Sequence, residues 1–332
     1  METNTASWNA RAEQRRLAPW SSWINGSPPV GWFKRPVGEE AARFYAEQGF
    51  LVLQDALTPE EVEELRRETL AICRGERGPL PGSDPGLPGE TDAEAMRRFL
   101  CIHFPHKVSP LMERALAHPA IVECLTAVIS PNVKCMQSML FIKASGKPGQ
   151  AWHQDEIYIP TRDRSLAGAW IALDDATVEN GCLWVLPGSH RQGILYFQEW
   201  HGDARFDCAF EARRFPYSND EAVPVEVKAG SIVFFNGYTL HRSLPNYAPS
   251  GYRRALVNHY MSAESLLPWF GNQLPEGQYV SVADHRDIVL VAGEDPYAWK
   301  GIEQRHGPHV RPSGEGGCGD LKYNEDAAKA RA

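Results

Sequence analysis

After Pro131 the chain changes texture, and that change constrains its fold more than any other feature. Seven short segments (Val133–Lys143, Ala151–Ile159, Ala167–Asp175, Cys182–Leu186, Val223–Lys228, Ser231–Asn236 and Arg253–Ser262) are rich in β-branched and aromatic residues and bounded by turn residues. Glu179-Asn180-Gly181 and Ala229-Gly230 read as hairpin turns. No helical pattern intervenes at the rhythm of βαβ units, which excludes a parallel, doubly wound sheet. The expectation is a mainly β protein with N-terminal helices, its antiparallel body a jelly-roll or similar sandwich.

Upstream, Glu39–Gln48 predicts a short helix stopped by Gly49, because glycine tolerates the positive φ of a helix C-cap. Phe50–Leu53 reads as a strand. Thr58 as N-cap, Pro59 at N1 and Glu61 at N3 then start a second helix, with Val62, Leu65, Thr69 and Ile72 at helical spacing. Residues 75–90 are crowded with Gly and Pro and predict a loop. Ser109-Pro110 and His118-Pro119 each open a further short helix, the second running to about Ile129. We divide the chain into an N-terminal arm (1–35, with Trp8, Trp20, Trp23 and Trp32), a main domain (36–262) and a C-terminal extension (263–332). Residues 190–222 are too long for a hairpin loop and read as an insertion or lid, and Ile288–Ala292 is the one apolar run of the extension.

Composition narrows the partners. Thirty-four Lys and Arg against 42 Asp and Glu leave a charge of −8, which argues against a nucleic-acid surface. The seven cysteines are odd in number and contain no C-x-x-C pair, so neither a disulfide framework nor a zinc finger is expected. No run reaches 18 apolar residues, so no membrane span is expected. The polar N-terminus does not resemble a signal peptide, and Ala-Arg-Ala at the other end is not a peroxisomal address. The expected compartment is the cytoplasm.

On a strand, residues i and i+2 share a face, so His-x-Asp can offer two metal ligands together. The tripeptide occurs three times: His153-Gln154-Asp155, His201-Gly202-Asp203 and His285-Arg286-Asp287. Only His153 is flanked by strand residues on both sides. A third ligand is His241, 86 residues past Asp155 and just after the buried-strand pattern 230–240. Two histidines and one carboxylate form the facial triad of non-haem Fe(II) oxygenases, which leaves coordination positions for a bidentate 2-oxo acid and O2. The distal carboxylate of such an acid would be held best by a bidentate arginine. Arg253 and Arg254 lie 12 and 13 residues past His241. Adjacent strand residues face opposite ways, so only one of them can point inward.

At these residues the chain resembles the phytanoyl-CoA dioxygenase family. The matching stretches are Trp152-His153-Gln154-Asp155, Ala169 to Asp175, Glu179 to His190, and His241 to Asn246 followed by Arg253. Phe44 to Leu53 and Thr58 to Val62 resemble the family's usual opening. The resemblance covers roughly residues 40–262. It implies a double-stranded β-helix of the cupin-like kind that uses Fe(II), 2-oxoglutarate and O2. On it, His153, Asp155 and His241 bind iron and Arg253 pairs with the distal carboxylate of 2-oxoglutarate. Ser243 assists Arg253, Trp170 lines the cosubstrate pocket, and Gln137 stands where the family often places a cosubstrate contact. One extra residue between His241 and Arg253 leaves Arg254 as the alternative. Halogenating relatives lose the carboxylate, so Asp155 favours oxygenation.

The resulting expectation is a hydroxylase of an unactivated C–H bond in a small molecule, releasing succinate and CO2. The alternative is a β-helix protein that binds metal or ligand without oxygenation. The insertion contributes Tyr196, Phe197, Trp200, Phe206, Arg213 and Arg214, a mixture suited to an amphipathic or anionic substrate. Gly314 to Gly319 fits G-x-G-x-x-G, but no strand precedes it and too little chain follows for a dinucleotide fold. His103/His106 and His306/His309 are spaced like helical ligand pairs, yet Pro105 and Pro308 would break such a helix.

Overall fold

A computed structural model of the chain describes residues 30–83, 86–207, 210–267 and 286–311. Helix α1 spans Glu39–Gln48 and ends at Gly49, whose φ of 79° and N–H bond to the Tyr45 carbonyl make the expected left-handed cap. Helix α2 (Pro59–Cys73) starts on the Thr58/Glu61 capping box. Helix α3 (Asp92–Arg97) was not expected, although Thr91 and Glu94 form a second capping box at its start. Helices α4 (Pro110–Leu116) and α5 (Pro119–Val128) follow Ser109 and His118, each with Pro at N1.

The strands are β1 (Trp32–Phe33), β2 (Phe50–Leu53), β3 (Cys101–His103), β4 (Val133–Ala144), β5 (Gln150–His153), β6 (Ala167–Ala172), β7 (Leu183–Val185), β8 (Gln198–Trp200), β9 (Phe210–Ala212), β10 (Val223–Val225), β11 (Ile232–Asn236), β12 (His241–Ser243), β13 (Tyr252–Ser262), β14 (Val289–Ala292) and β15 (His309–Arg311). They form a large sheet in the order β1-β2-β11-β6-β13-β4-β3-β15, with β14 also paired to β4. A smaller sheet runs β10-β7-β12-β5, and β8-β9 is a separate hairpin within the insertion. All pairings but β1-β2 are antiparallel, as expected of a jelly-roll.

Period-2 alternation builds two cores on the faces of the large sheet. Leu51, Leu53, Ile232, Phe234, Ile171, Leu256 and Ile142 join the cluster that packs on the helices. Their neighbours Phe50, Val52, Val233, Phe235, Trp170, Val257 and Phe141 join the cluster facing the small sheet. Burying a side chain such as Phe234 stabilises this arrangement by roughly 1.5–3 kcal/mol. Cys73, Cys101, Cys124, Cys135 and Cys182 are buried free thiols, and burial pushes Cys73 and Cys135 up to about 12. No helix among the described residues is long and apolar enough to cross a membrane.

The extension adds to the large sheet: Ile288–Ala292 yields β14, and β15 pairs with β3 although no strand pattern marks it. Trp8, Trp20, Trp23, Cys208, Cys318, His285 and the 314–319 glycines lie outside the described residues.

Candidate active site

Strand pairing brings the three ligands together. In the register of β12 against β5, His241 faces His153, although 88 residues separate them in the chain. Asp155 is not on the strand. β5 ends at His153, and Asp155 opens a 3-10 turn, Asp155–Ile157. The expected strand 151–159 is cut short because Gln154 is pinned out of it: its amide donates to the Ile194 and Tyr238 carbonyls and accepts from Tyr196 N–H. Asp155 is thus placed by the turn after the strand rather than by a shared strand face.

The ligand atoms of His153, Asp155 and His241 lie within 4.8 Å of one another, all on buried residues. Asp155 Oδ1 is 3.7 Å from His153 Nε2 and 3.6 Å from His241 Nε2. The Nδ1–H of His153 donates to the Ala151 carbonyl (2.7 Å) and that of His241 to the Thr239 carbonyl (2.9 Å). These bonds fix the tautomers, so Nε2 is the basic nitrogen of each ring and the one turned toward the carboxylate. The other carboxylate oxygen, Oδ2, is bonded to His259 Nε2 at 3.0 Å, so Oδ1 is the oxygen left for a metal. Burial would raise the Asp155 pKa, but the imidazoles of His241, His259 and His153 outweigh it and hold the carboxyl below its ordinary range. A cluster of two nitrogens and one oxygen on one side of a cavity fits a divalent iron with positions open for other ligands.

A cavity of about 250 Å³ opens from this cluster, and Gln137, Trp170, Ser243 and Arg253 all line it. The parity of β13 decides between the two arginines. Arg253 shares the inward face with Ala255 and Val257, whereas Arg254 points outward and forms two 2.8 Å bonds to Asp174. The Arg253 guanidinium sits 5.3 Å from the Trp170 ring centroid. Its Nε has no hydrogen-bond partner, and no carboxylate of the described residues is within ion-pair distance. Burial pushes its pKa down to about 10, so it remains a cation at neutral pH. A buried, unpaired guanidinium facing a cavity has the charge and the donors to receive an anion.

Two participants carry no motif. His259 is one; it follows Arg253, Ala255 and Val257 on the inward parity of β13, and that spacing could have flagged it. The other is Lys143, fully buried opposite Arg253 in the β4-β13 register. Its Nζ donates to Ser243 Oγ (2.9 Å) and to the Leu244 carbonyl (2.7 Å), fixing the hydroxyl beside the anion site. Burial, then the charge of Arg253, push this ammonium well below the ordinary lysine value. Close backbone approach also shapes the site: a Cβ on Gly149 would stand 2.0 Å from the Ser243 carbonyl oxygen.

The other expected residues lie elsewhere. Of the insertion, Tyr196, Phe197, Trp200, Phe206, Arg213 and Arg214 do not line the catalytic cavity. Phe197 and Trp200 are exposed, and Arg213 and Arg214 pair with Glu211 and Glu199. Asp203 pairs with Arg205, apart from the triad.

A jelly-roll with a facial His-Asp-His cluster and an inward arginine defines a class, the non-haem iron oxygenases that use a 2-oxo acid. The model of the phytanoyl-CoA dioxygenase family matches residues 45–255. The chain belongs to that family and is, with it, a non-haem iron- and 2-oxoglutarate-dependent dioxygenase. It is 32% identical to phytanoyl-CoA dioxygenase 1 of Oryza sativa subsp. japonica over 281 residues, covering 75% of this chain and 97% of that protein. It is 29% identical to the peroxisomal phytanoyl-CoA dioxygenase of Homo sapiens, with 68% of each chain covered. Among solved structures, the apo non-haem monooxygenase ThoJ superposes with a TM-score of 0.58 at 21% identity, covering 87% of this chain and 94% of that one. The epimerase SnoN, solved with Fe3+, α-ketoglutarate and nogalamycin RO, superposes with a TM-score of 0.54 at 20% identity, covering 76% and 95%. At that identity these two similarities bear on the fold.

Proposed function

We propose that this dioxygenase hydroxylates an unactivated C–H bond of a small molecule while 2-oxoglutarate is converted to succinate and CO2. The observation that carries the proposal is the unpaired Arg253 guanidinium, buried in the same cavity as the three metal-ligand atoms. In this reading His153 Nε2, His241 Nε2 and Asp155 Oδ1 hold the iron. Arg253 and the Ser243 hydroxyl, itself fixed by Lys143, hold the distal carboxylate of 2-oxoglutarate. Trp170 walls the cosubstrate side beside the guanidinium, and Gln137 lines the same cavity from β4. Bound iron supplies the O2-derived oxidant; the protein orients the two organic molecules and keeps water from the reacting carbon.

The lining supports that division of labour. Met139, Phe141, Leu183, Phe235 and Val257 exclude water, while the polar groups gather at the triad and at Arg253. His259, by occupying Oδ2, orients the Asp155 carboxylate before metal arrives. Retention of Asp155 favours oxygen transfer over halide transfer. The test is succinate release from 2-oxoglutarate with Fe(II) over a substrate panel. Wild type is expected to release succinate, and Asp155→Ala none; a variant active at normal iron occupancy refutes the assignment.

A further inference from the structure

Two buried cations share one rung of the large sheet. Lys143 on β4 stands opposite Arg253 on β13, and each is 2% exposed. Among the described residues no carboxylate lies within ion-pair distance of either. Of the two, Arg253 lines the catalytic cavity, whereas Lys143 reaches it through the hydroxyl of Ser243.

The groups that face Lys143 come from four elements. β13 supplies Arg253, a like charge. The turn before β7 supplies the Gly181 carbonyl at 3.4 Å and the Cys182 thiol, which burial pushes above its ordinary value and keeps protonated. β12 and the residue after it supply the Ser243 hydroxyl at 2.9 Å and the Leu244 carbonyl at 2.7 Å. The insertion supplies Asp207, a buried carboxylate that favours both cations through space without pairing with Lys143. Three neutral oxygens therefore surround the amine, and its closest charged neighbour in the register is another cation. Burial first, then Arg253, draw the lysine well below its ordinary value. A guanidinium holds its proton far more strongly than an amine, so the lysine is the member of the pair that gives its proton up.

Two arrangements of hydrogens satisfy the same heavy-atom distances. An uncharged amine has two N–H groups for the Leu244 and Gly181 carbonyls and a lone pair that accepts the Ser243 O–H. An ammonium has a third N–H, which donates to Ser243 Oγ. That oxygen also accepts the Gln150 N–H at 3.3 Å, so the hydroxyl hydrogen is left to donate into the cavity that Ser243 lines.

We propose that Lys143 is a positioning residue that takes up a proton with the cosubstrate: its amine is uncharged before 2-oxoglutarate binds, and becomes an ammonium as the distal carboxylate enters beside Arg253, which turns the Ser243 hydroxyl onto that carboxylate. The proton comes from solvent, one N–H bond forms at Nζ, and the Ser243 O–H changes its acceptor without breaking. The incoming carboxylate supplies the countercharge that the described residues do not. The proposal rests on the hydroxylase reading above and deepens it.

Calorimetry of 2-oxoglutarate into the Mn(II)-loaded full chain, in phosphate, HEPES and Tris buffers, reads the proton directly. The apparent heat changes with the ionisation enthalpy of the buffer in proportion to the protons taken up, and 2-oxoglutarate is already a dianion at neutral pH. At about pH 7.5 wild type is expected to take up about one proton per cosubstrate, and Lys143→Met and Lys143→Gln close to none. Wild-type binding without proton uptake, or equal uptake in wild type and both variants, overturns the proposal. Urea unfolding of the ligand-free proteins tests the uncharged amine separately. A folded value below the unfolded value of about 10.4 gives stability that is complete above that pH and lost as pH falls, so from about pH 9.5 down to about pH 7.5 the wild-type unfolding constant should rise about tenfold per unit relative to either variant. Identical pH slopes overturn the proposal. A wild type that binds no 2-oxoglutarate refutes the iron-site reading, and the unfolding slopes then decide the uncharged amine by themselves.

Discussion

Replacing Arg253 by Gln tests the anion site, because the structure sets that residue two opposing tasks. In the ligand-free protein the guanidinium is a buried charge without an ion-pair partner among the described residues, and burial has already pushed its pKa down to about 10. Removing it should therefore leave the unfolding midpoint unchanged or slightly higher, since an uncompensated buried charge costs stability. Binding should respond the other way. The distal carboxylate of 2-oxoglutarate would enter the same dry pocket and lose its cation, a penalty of about 3–5 kcal/mol, or roughly a 100- to 4,000-fold weaker cosubstrate affinity. Calorimetric titration of 2-oxoglutarate into the Mn(II)-loaded proteins reads this directly, with thermal unfolding of the ligand-free forms alongside. Arg254→Gln is the control: it breaks a two-bond pair with Asp174 on the outer face and should lose about 1–3 kcal/mol of stability with cosubstrate affinity unchanged. An Arg253→Gln protein that binds 2-oxoglutarate within threefold of wild type, or an Arg254→Gln protein that does not, would refute the reasoning.

Three further outcomes are expected. His259→Leu, which frees Asp155 Oδ2, should weaken Mn(II) binding about 10- to 100-fold, with His259→Gln restoring part of the loss through its amide donor; equal affinity in all three proteins would show that the bond does not orient the ligand. His106 is buried, and desolvation followed by the nearby Lys107 charge lowers its pKa to about 4. A folded value below the unfolded value of about 6.5 gives stability that is complete above pH 6.5 and lost as pH falls toward 4, about 3 kcal/mol in all; in denaturant melts His106→Gln should flatten that limb, and an unchanged slope would exclude His106 as its source. Gly149→Ala places a methyl 2.0 Å from the Ser243 carbonyl oxygen between β5 and β12, so it should cost about 1–3 kcal/mol in urea unfolding and weaken 2-oxoglutarate uptake together; loss of neither would mean that the strands part without consequence for the site.

Local chemistry decided what could be read in one dimension. The capping residues Thr58, Ser109 and His118 announce their helices because each accepts an N–H bond in its own first turn. The same signal stands at Thr91 and Glu94, where it opens α3 behind the Gly- and Pro-rich loop. Alternation along Ile232 to Phe235 marks a strand buried on both faces, since every second residue joins a different core. The triad residues were legible from type and order, whereas the choice of Arg253 over Arg254 waited on which face of β13 turns toward the small sheet.

The rest depended on contacts that no spacing encodes. Asp155 reaches the histidines by a 3-10 turn imposed by Gln154, whose partners Ile194 and Tyr238 are remote in sequence. Lys143 carries no motif; only the register of β4 against β13 sets it beside Arg253 and Ser243. His103 and His309, 206 residues apart, meet because three residues of β15 complete an exposed sheet edge. By itself the sequence determined most of the helices and strands, the metal-binding residue types and that one of two adjacent arginines turns inward, because these follow from local backbone preference and period-2 geometry. Tertiary structure alone decided which buried polar groups line the cavity and which rings meet across a sheet edge, because a hydrogen bond or stacked ring is satisfied by whatever the packed sheets bring within reach, however distant along the chain.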